Sequence, residues 1–215
     1  MKFGSTGFLL HAWSLVRESR HAVRKNRSFM QTSSTKITMS RIGKKPVTIP
    51  EKTDVTIVDG VLTVQGPLGV LTKEVHPYVG VAIEGKEVQV SPKNETRLAK
   101  ALWGTFASHL QNMIKGVNER YTKKLVLDGI GYKMASSDKE LTLSLGFSHK
   151  VIMSIPEGVT VTVEKNILTI SGIDKDVVGQ FSANVRAKKK PEPYKGKGFH
   201  YDDEVILRKQ GKKAA

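Results

Sequence analysis

The sequence predicts an α+β fold built from two tandem copies of a small domain, each an antiparallel sheet packed by one helix. Three observations carry this. First, from Val47 onward most segments alternate apolar and polar residues with the strand period of two, broken by turn residues. Second, only two segments, near 95–117 and 174–186, carry the helical period instead. Third, a stretch recurs: Ile49-Pro-Glu51 aligns with Ile155-Pro-Glu157, Val55-Thr-Ile57 with Val161-Thr-Val163, and Leu62-Thr-Val64 with Leu168-Thr-Ile170. Without a gap, eight of eighteen positions are identical, from Ile49/Ile155 to Gly66/Gly172. Two copies are too few for a solenoid and imply a duplicated domain.

Taken in order, residues 1–38 stand apart. They hold four Arg, six Ser and a single acid, Glu18, with a short amphipathic patch around Phe8, Trp13 and Val16. That composition fits an organelle presequence. The alternative, and the favoured reading, is a start placed too early, with translation beginning at Met39. Either way the segment is expected to lie outside the folded body. Residues 40–46 form a basic lead-in with Arg41, Lys44 and Lys45.

Val55 and Ile57, then Leu62 and Val64, read as paired strands joined at Asp59-Gly60, a type I′ hairpin signal. Gly66-Pro-Leu-Gly69 is a turn, and strands follow at 70–75, 80–84 and 87–91. Residues 95–117 form a helix with Asn94 as its expected cap. Leu98, Leu102, Phe106, Leu110, Met113, Ile114 and Val117 make its apolar stripe, and Gly116 suits its C-terminus. Such a stripe packs on the domain's own sheet. In the second half, strands are expected at 121–128, 132–136, 140–145, 149–154, 159–164 and 167–171. A helix from Asp174 to Arg186 presents Val177, Val178, Phe181 and Val185 to the sheet. The domain boundaries follow: an extension at 1–38, a first domain at 39–119, a second at 120–187 and a basic tail at 188–215.

The net charge of +15 is unevenly placed. Residues 1–38 carry +6 and residues 186–215 carry +6, whereas 39–119 carry +2 and 120–185 carry +1. Nearly neutral bodies with basic ends suit attachment to a polyanion. There is no cysteine, which excludes disulfides and cysteine–zinc sites. No apolar run approaches the length of a membrane-spanning helix. Catalysis is not expected. Ser148 and His149 are adjacent in an extended segment and point to opposite faces. Gly129-Ile-Gly-Tyr132 lacks the third glycine of a dinucleotide loop and reads as a turn or bulge where backbone comes close to something. The six histidines show no metal-ligand spacing, and no cofactor is expected. Asp202-Asp-Glu204 reads as a solvated turn or as internal charge balance.

The densest charge lies in Arg186-Ala-Lys-Lys-Lys-Pro-Glu-Pro-Tyr-Lys-Gly-Lys-Gly-Phe-His-Tyr201. Pro191 and Pro193 bar helix, while Gly196 and Gly198 free the backbone and remove bulk. An extended basic segment is expected, with Tyr194, Phe199 and Tyr201 as flat faces for bases or sugars.

Pro191-Glu-Pro-Tyr-Lys-Gly-Lys-Gly-Phe199 resembles the C-terminal signature of the bacterial-type large-subunit ribosomal protein six family, which usually closes on an aliphatic residue where Phe199 stands. Met39-Ser-Arg-Ile-Gly-Lys-Lys-Pro46, Tyr121-Thr-Lys-Lys-Leu125, Gly129-Ile-Gly-Tyr132 and Leu143-Ser-Leu-Gly-Phe-Ser-His149 resemble it too, in the family's order, so that the likeness runs from residue 39 to about 212. The resemblance implies a structural protein bound to large-subunit ribosomal RNA near the sarcin–ricin loop and the stalk base, among neighbouring ribosomal proteins and docking translation factors. It implies that Arg186, Lys188, Lys189, Lys190, Lys195 and Lys197 neutralise phosphates, that Tyr194 and Tyr201 stack or pack on sugars, and that Gly196 and Gly198 let backbone N–H groups reach phosphate oxygens. Arg41, Lys44 and Lys45 would make a second contact, and Lys123, Lys124 and Tyr132 a third. The location implied is the ribosome, in bacterial cytoplasm or, if residues 1–38 are a presequence, in an organelle matrix. The competing reading is a generic basic protein that coats nucleic acid.

Overall fold

The computed structural model describes residues 42–211. Both readings of residues 1–38, and the contact expected of Arg41, lie outside the described residues. The first half contains β1 (Val47–Thr48), β2 (Asp54–Val58), β3 (Val61–Gly66), β4 (Gly69–Glu74), β5 (Val79–Glu84), β6 (Glu87–Pro92) and α1 (Arg97–Asn118). The second contains β7 (Tyr121–Asp128), β8 (Lys133–Ser136), β9 (Glu140–Ser144), β10 (Val151–Ser154), β11 (Val159–Glu164), β12 (Ile167–Gly172), α2 (Lys175–Lys188) and β13 (Gly198–Tyr201).

Each half has two antiparallel sheets. The first half forms β1-β6-β5 and β2-β3-β4; the second forms β11-β12-β7-β13 and β10-β9-β8. The duplication is therefore present, but not in the register that the sequence repeat suggests. By position in the sheets, β1 matches β7, β5–β6 matches β11–β12, and β2-β3-β4 matches β8-β9-β10. The repeated stretch instead equates the β2–β3 hairpin with the β11–β12 hairpin, which sit in different sheets. The reason is local chemistry. Both hairpins turn through a left-handed residue, Asp59 at φ 50° and Lys165 at φ 52°, and both alternate apolar and polar residues around it. Similar hairpins need similar residues wherever they sit in a sheet.

Helix α1 starts two residues later than Asn94 would place it. Thr96 is the cap: its backbone is extended and its Oγ1 accepts from the Ala99 N–H at 3.2 Å. The buried face is also turned from the expected stripe. Ala99, Trp103, Ala107, Leu110, Ile114 and Val117 lie inside, while Leu98 is exposed. Two alanines bring the helix close to the sheet, and Trp103, which is not among the stripe residues, is buried with Nε1 donating to the Val90 carbonyl. The first core gathers these around Val47, Leu62, Val64, Val88 and Val90. Helix α2 is capped by Asp174, whose carboxylate accepts from the Asp176 N–H at 2.8 Å. It buries Val178, Phe181 and Val185 against Leu125, Leu127, Leu168 and Ile170, as its spacing predicts, whereas Val177, expected on the same face, is only half-buried and lies outside this core.

Gly116 is not a terminator. It lies inside α1, and a Cβ there would stand 2.1 Å from the Ile173 carbonyl oxygen, just before α2. Ile173 in turn packs against the first core. Gly116 is thus one point where the second half touches the backbone of the first; the Tyr121 hydroxyl, donating to the Asn112 carbonyl at 3.2 Å, is another. Lys73 and His109 meet Asp176 at 3.5 Å nearby, and Lys175 Nζ donates to Asn112 Oδ1 at 3.2 Å. These polar contacts are solvent-exposed and weak individually; the apolar seat of Ile173 and the glycine contact set the fit. Gly116→Ala tests this. Alanine is the better helix former by about 1 kcal/mol, yet the clash with backbone should reverse the sign and cost about 1–3 kcal/mol, read as a lower urea midpoint.

Candidate nucleic-acid interface

The basic segment leaves α2 at Lys188, makes a tight loop and returns to the sheet. Two prolines stop the helix. The Glu192 N–H donates to the Lys197 carbonyl and the Gly196 N–H to the Glu192 carbonyl, each at 3.0 Å, closing the loop. Gly196 sits at φ +71°, which favours glycine. Gly198 lies against the helix end: a Cβ there would stand 2.6 Å from the Lys190 carbonyl oxygen and 2.8 Å from that of Lys189. Phe199 then donates its N–H to the Lys189 carbonyl at 2.8 Å, and its side chain is completely buried in the second core.

This corrects the expected boundary at 187/188. Residues 198–201 are not tail but the fourth strand of the second half's main sheet, paired antiparallel to β7 with Phe199 opposite Leu127 and Tyr201 opposite Leu125. The charge around them masks the strand: only Phe199, His200 and Tyr201 read as strand residues. The two glycines also serve the fold itself. The Gly196 N–H has an internal partner, and Gly198 makes room for the protein's own backbone. The chain beyond also folds back, with the Lys209 N–H donating to the Pro193 carbonyl at 2.7 Å.

The candidate residues fall into separate groups. Lys188, Lys190 and Lys195 are exposed, and Lys189 and Lys197 are half-buried, on one loop with Tyr194, which is 60% exposed. Arg186 is different. Its Nε and Nη2 donate to the two carboxylate oxygens of Glu204 at 3.0 and 2.5 Å, and the Tyr201 N–H donates to Glu204 as well. Arg186 is therefore a latch that ties the helix to the segment after β13. Glu204 supplies the internal charge balance read from the acidic trio. The Arg186 hydrogen bonds hold the Glu204 carboxyl below its ordinary value, with burial opposing and the Tyr201 N–H assisting. The Arg186 guanidinium is correspondingly held more firmly protonated by its hydrogen bonds to Glu204.

Tyr201 lies between cations, with Lys123 Nζ 5.6 Å and Arg186 Cζ 5.7 Å from its ring centre. Its ring is thus engaged within the fold. Lys123 and Lys124 are adjacent on β7 and so project from opposite faces of the sheet; only Lys123 shares the face of Leu125 and Tyr201. Tyr132 joins the basic loop through Lys189, whose Nζ lies 6.0 Å from its ring centre. Lys44 and Lys45 are exposed on a turn of the first half that Gly43 lays flat against Trp103. Sequence reasoning missed Glu204 as the partner of Arg186, eighteen residues away, and missed Phe147, whose ring centre is 4.9 Å from Lys189 Nζ. Gly146 before Phe147 was the available signal.

The fold and the basic loop together define a small α+β protein that carries a structured cationic loop at the edge of its sheet. Residues 49–120 and 129–202 each match the family described as Ribosomal protein L6, one match per half. The chain is 47% identical over 177 residues to the large ribosomal subunit protein uL6 of Fusobacterium nucleatum, covering 82% of this chain and all of that one. It is 48% identical over 176 residues to the uL6 of Zymomonas mobilis and 49% over 178 to that of Nitratiruptor sp., covering 81% and 82% of this chain and 99% of each relative. The chain belongs to the ribosomal protein L6 family. It is a structural constituent of the large ribosomal subunit and not an enzyme.

Two predictions separate rim from core. Phe199→Ala should cost about 3–5 kcal/mol of unfolding free energy, whereas Tyr194→Ala with Lys195→Ala and Lys197→Ala should cost about 0.5 kcal/mol or less per substitution; urea denaturation reads both. The latch should also show in pH dependence. Glu204 has a depressed pKa when folded, so its contribution is complete above its ordinary value of 4.5 and is lost as pH falls through the folded value. Glu204→Gln should be the less stable protein at neutral pH, and the gap to the parent should narrow in acid below that range.

Proposed function

We propose that the second half and its basic loop are the main anchor on large-subunit ribosomal RNA, near the sarcin–ricin loop and the stalk base where translation factors dock. Lys188, Lys189, Lys190, Lys195 and Lys197 neutralise phosphates, with Tyr194 packing on sugar or base. Lys44 and Lys45 make a second contact; Lys123 and Lys124, on opposite faces of β7, and Tyr132, beside the basic loop, add separate ones. One observation carries the reading: the loop bearing Lys189, Lys190, Lys195 and Lys197, with Lys188 at the helix end, is closed by its own hydrogen bonds and pinned by buried Phe199. A cationic loop already held in place loses less freedom on binding than a free tail. That is useful for a folded RNA read by shape, phosphates and 2′-hydroxyls. A generic polyanion coat needs charge alone.

The test is binding at matched salt to large-subunit ribosomal RNA and to a random transcript of equal length. A strong preference for the ribosomal RNA supports the proposal, and equal affinity contradicts it. Lys188→Ala with Lys190→Ala and Lys195→Ala should weaken binding. It should also flatten the log–log salt dependence by about 0.7–0.9 for each phosphate no longer neutralised.

A further inference from the structure

A second surface feature lies beside the basic loop; it shares Lys188–Lys190 and Tyr132 with the contacts above and adds Phe147 and His149, which have no part in them. Three segments distant in sequence meet there: Gly129–Lys133 after β7, Gly146–Lys150 between β9 and β10, and Lys188–Lys190 at the end of α2. Lys189 Nζ lies 4.9 Å from the Phe147 ring centre and 6.0 Å from that of Tyr132. Phe147 and His149 stack with ring centres 6.0 Å apart and planes 16° apart. Phe147 is nevertheless 45% exposed.

The Tyr132 ring is seated in a glycine cradle. A Cβ at Gly129 would stand 2.3 Å from it and one at Gly146 would stand 3.2 Å away, and both glycines have positive φ. Ring and loops are therefore fitted to each other, which fixes the base of the platform. The three segments hold five lysines, Lys133, Lys150, Lys188, Lys189 and Lys190, and no acidic residue. An exposed, nearly parallel aromatic pair with the Lys189 ammonium beside it, on segments that carry four further lysines, has the chemistry of a nucleotide site. The rings take a base face, and the lysines take the phosphate.

We propose that Phe147 and His149 form a stacking platform for one unpaired nucleobase of RNA, with Lys189 on the adjoining phosphate. The proposal rests on the RNA-binding reading above and adds a base contact to what is otherwise phosphate and shape recognition. A paired base has both faces covered by its neighbours, so the platform selects a looped-out or single-stranded nucleotide. Ser148 and His149, unfit as a catalytic pair, then have a plain purpose: their loop carries the two rings.

The experiment measures affinity of the full chain for transcribed large-subunit ribosomal RNA across a salt series. Phe147→Ala should weaken binding by about 5- to 150-fold, the range for removal of one base stack, with the salt slope unchanged because the ring carries no charge. Phe147→Trp should restore it. Lys189→Ala should weaken binding and lower the slope by about 0.7–0.9. Thermal unfolding of each variant checks the fold, and Phe147→Trp keeps the test open if the alanine variant is unstable. Binding of Phe147→Ala within about twofold of the parent, well short of the effect expected for a base stack, overturns the platform while leaving the anchor reading intact. A drop with a flattened slope, matching Lys189→Ala, also overturns it, since Phe147 would then only support the lysine. A parent chain that shows no preference for the ribosomal RNA removes the anchor reading, and the platform with it.

Discussion

Burial of Phe199 is the contact on which the C-terminal half of this protein depends. It converts a lysine-rich segment into a strand and so fixes both ends of the basic loop, one by α2 and the other by β13. An exposed run of lysines repels itself and gains nothing from order. An aromatic side chain placed in the core offsets that cost, because hydrophobic burial of a ring exceeds what surface charges lose at ordinary ionic strength. The glycine at 198 permits the strand to approach the helix end, and the Arg186–Glu204 pair closes the arrangement on its far side. Each charge in that pair is partly shielded and hydrogen-bonded by its partner in a two-point fork, the condition under which an ion pair holds a specific geometry.

The two halves use one plan for different ends. In both, a helix packs on antiparallel sheet, α1 against strands of both sheets and α2 against the four-stranded one, and in both a strand that follows a proline-containing turn leads into the hairpin before the helix. The first half ends its helix in contact with the second, through Gly116 and Ile173. The second extends its sheet by one strand, β13, for which the described part of the first half has no counterpart. That added strand closes the charged loop. Duplication thus supplied a scaffold, and the departure from it lies where the proposed RNA contacts lie.

Most of the architecture was legible in local pattern. The helices and nearly all strands follow from periodicity and turn residues, because each half is made of short hairpins whose signals are local. What failed was non-local. The repeat equated two hairpins that occupy different sheets, since hairpin chemistry does not encode which neighbour a strand finds. The strand at Gly198–Tyr201 was hidden among lysines and glycines, and only its partner β7 makes it a strand. Arg186 looked like its lysine neighbours until Glu204 was found opposite it. The basic loop was visible as composition, but its rigidity was not. Phe147 and His149 stand in the stretch that resembles the family, but their relation to Lys189, about forty residues on, is not visible in local pattern.

The central claim is that the basic loop is a built part of the fold before any RNA arrives. Amide hydrogen exchange of the free protein tests it most directly. The account predicts that the Gly196 and Phe199 amides, bonded to the Glu192 and Lys189 carbonyls, exchange slowly, with Phe199 protected to the same degree as Leu125 and Leu127 of β7. Exchange of Gly196 and Phe199 at the rate of an unstructured chain, with β7 still protected, would contradict it and return residues 188–215 to the status of a tail that orders only on its partner.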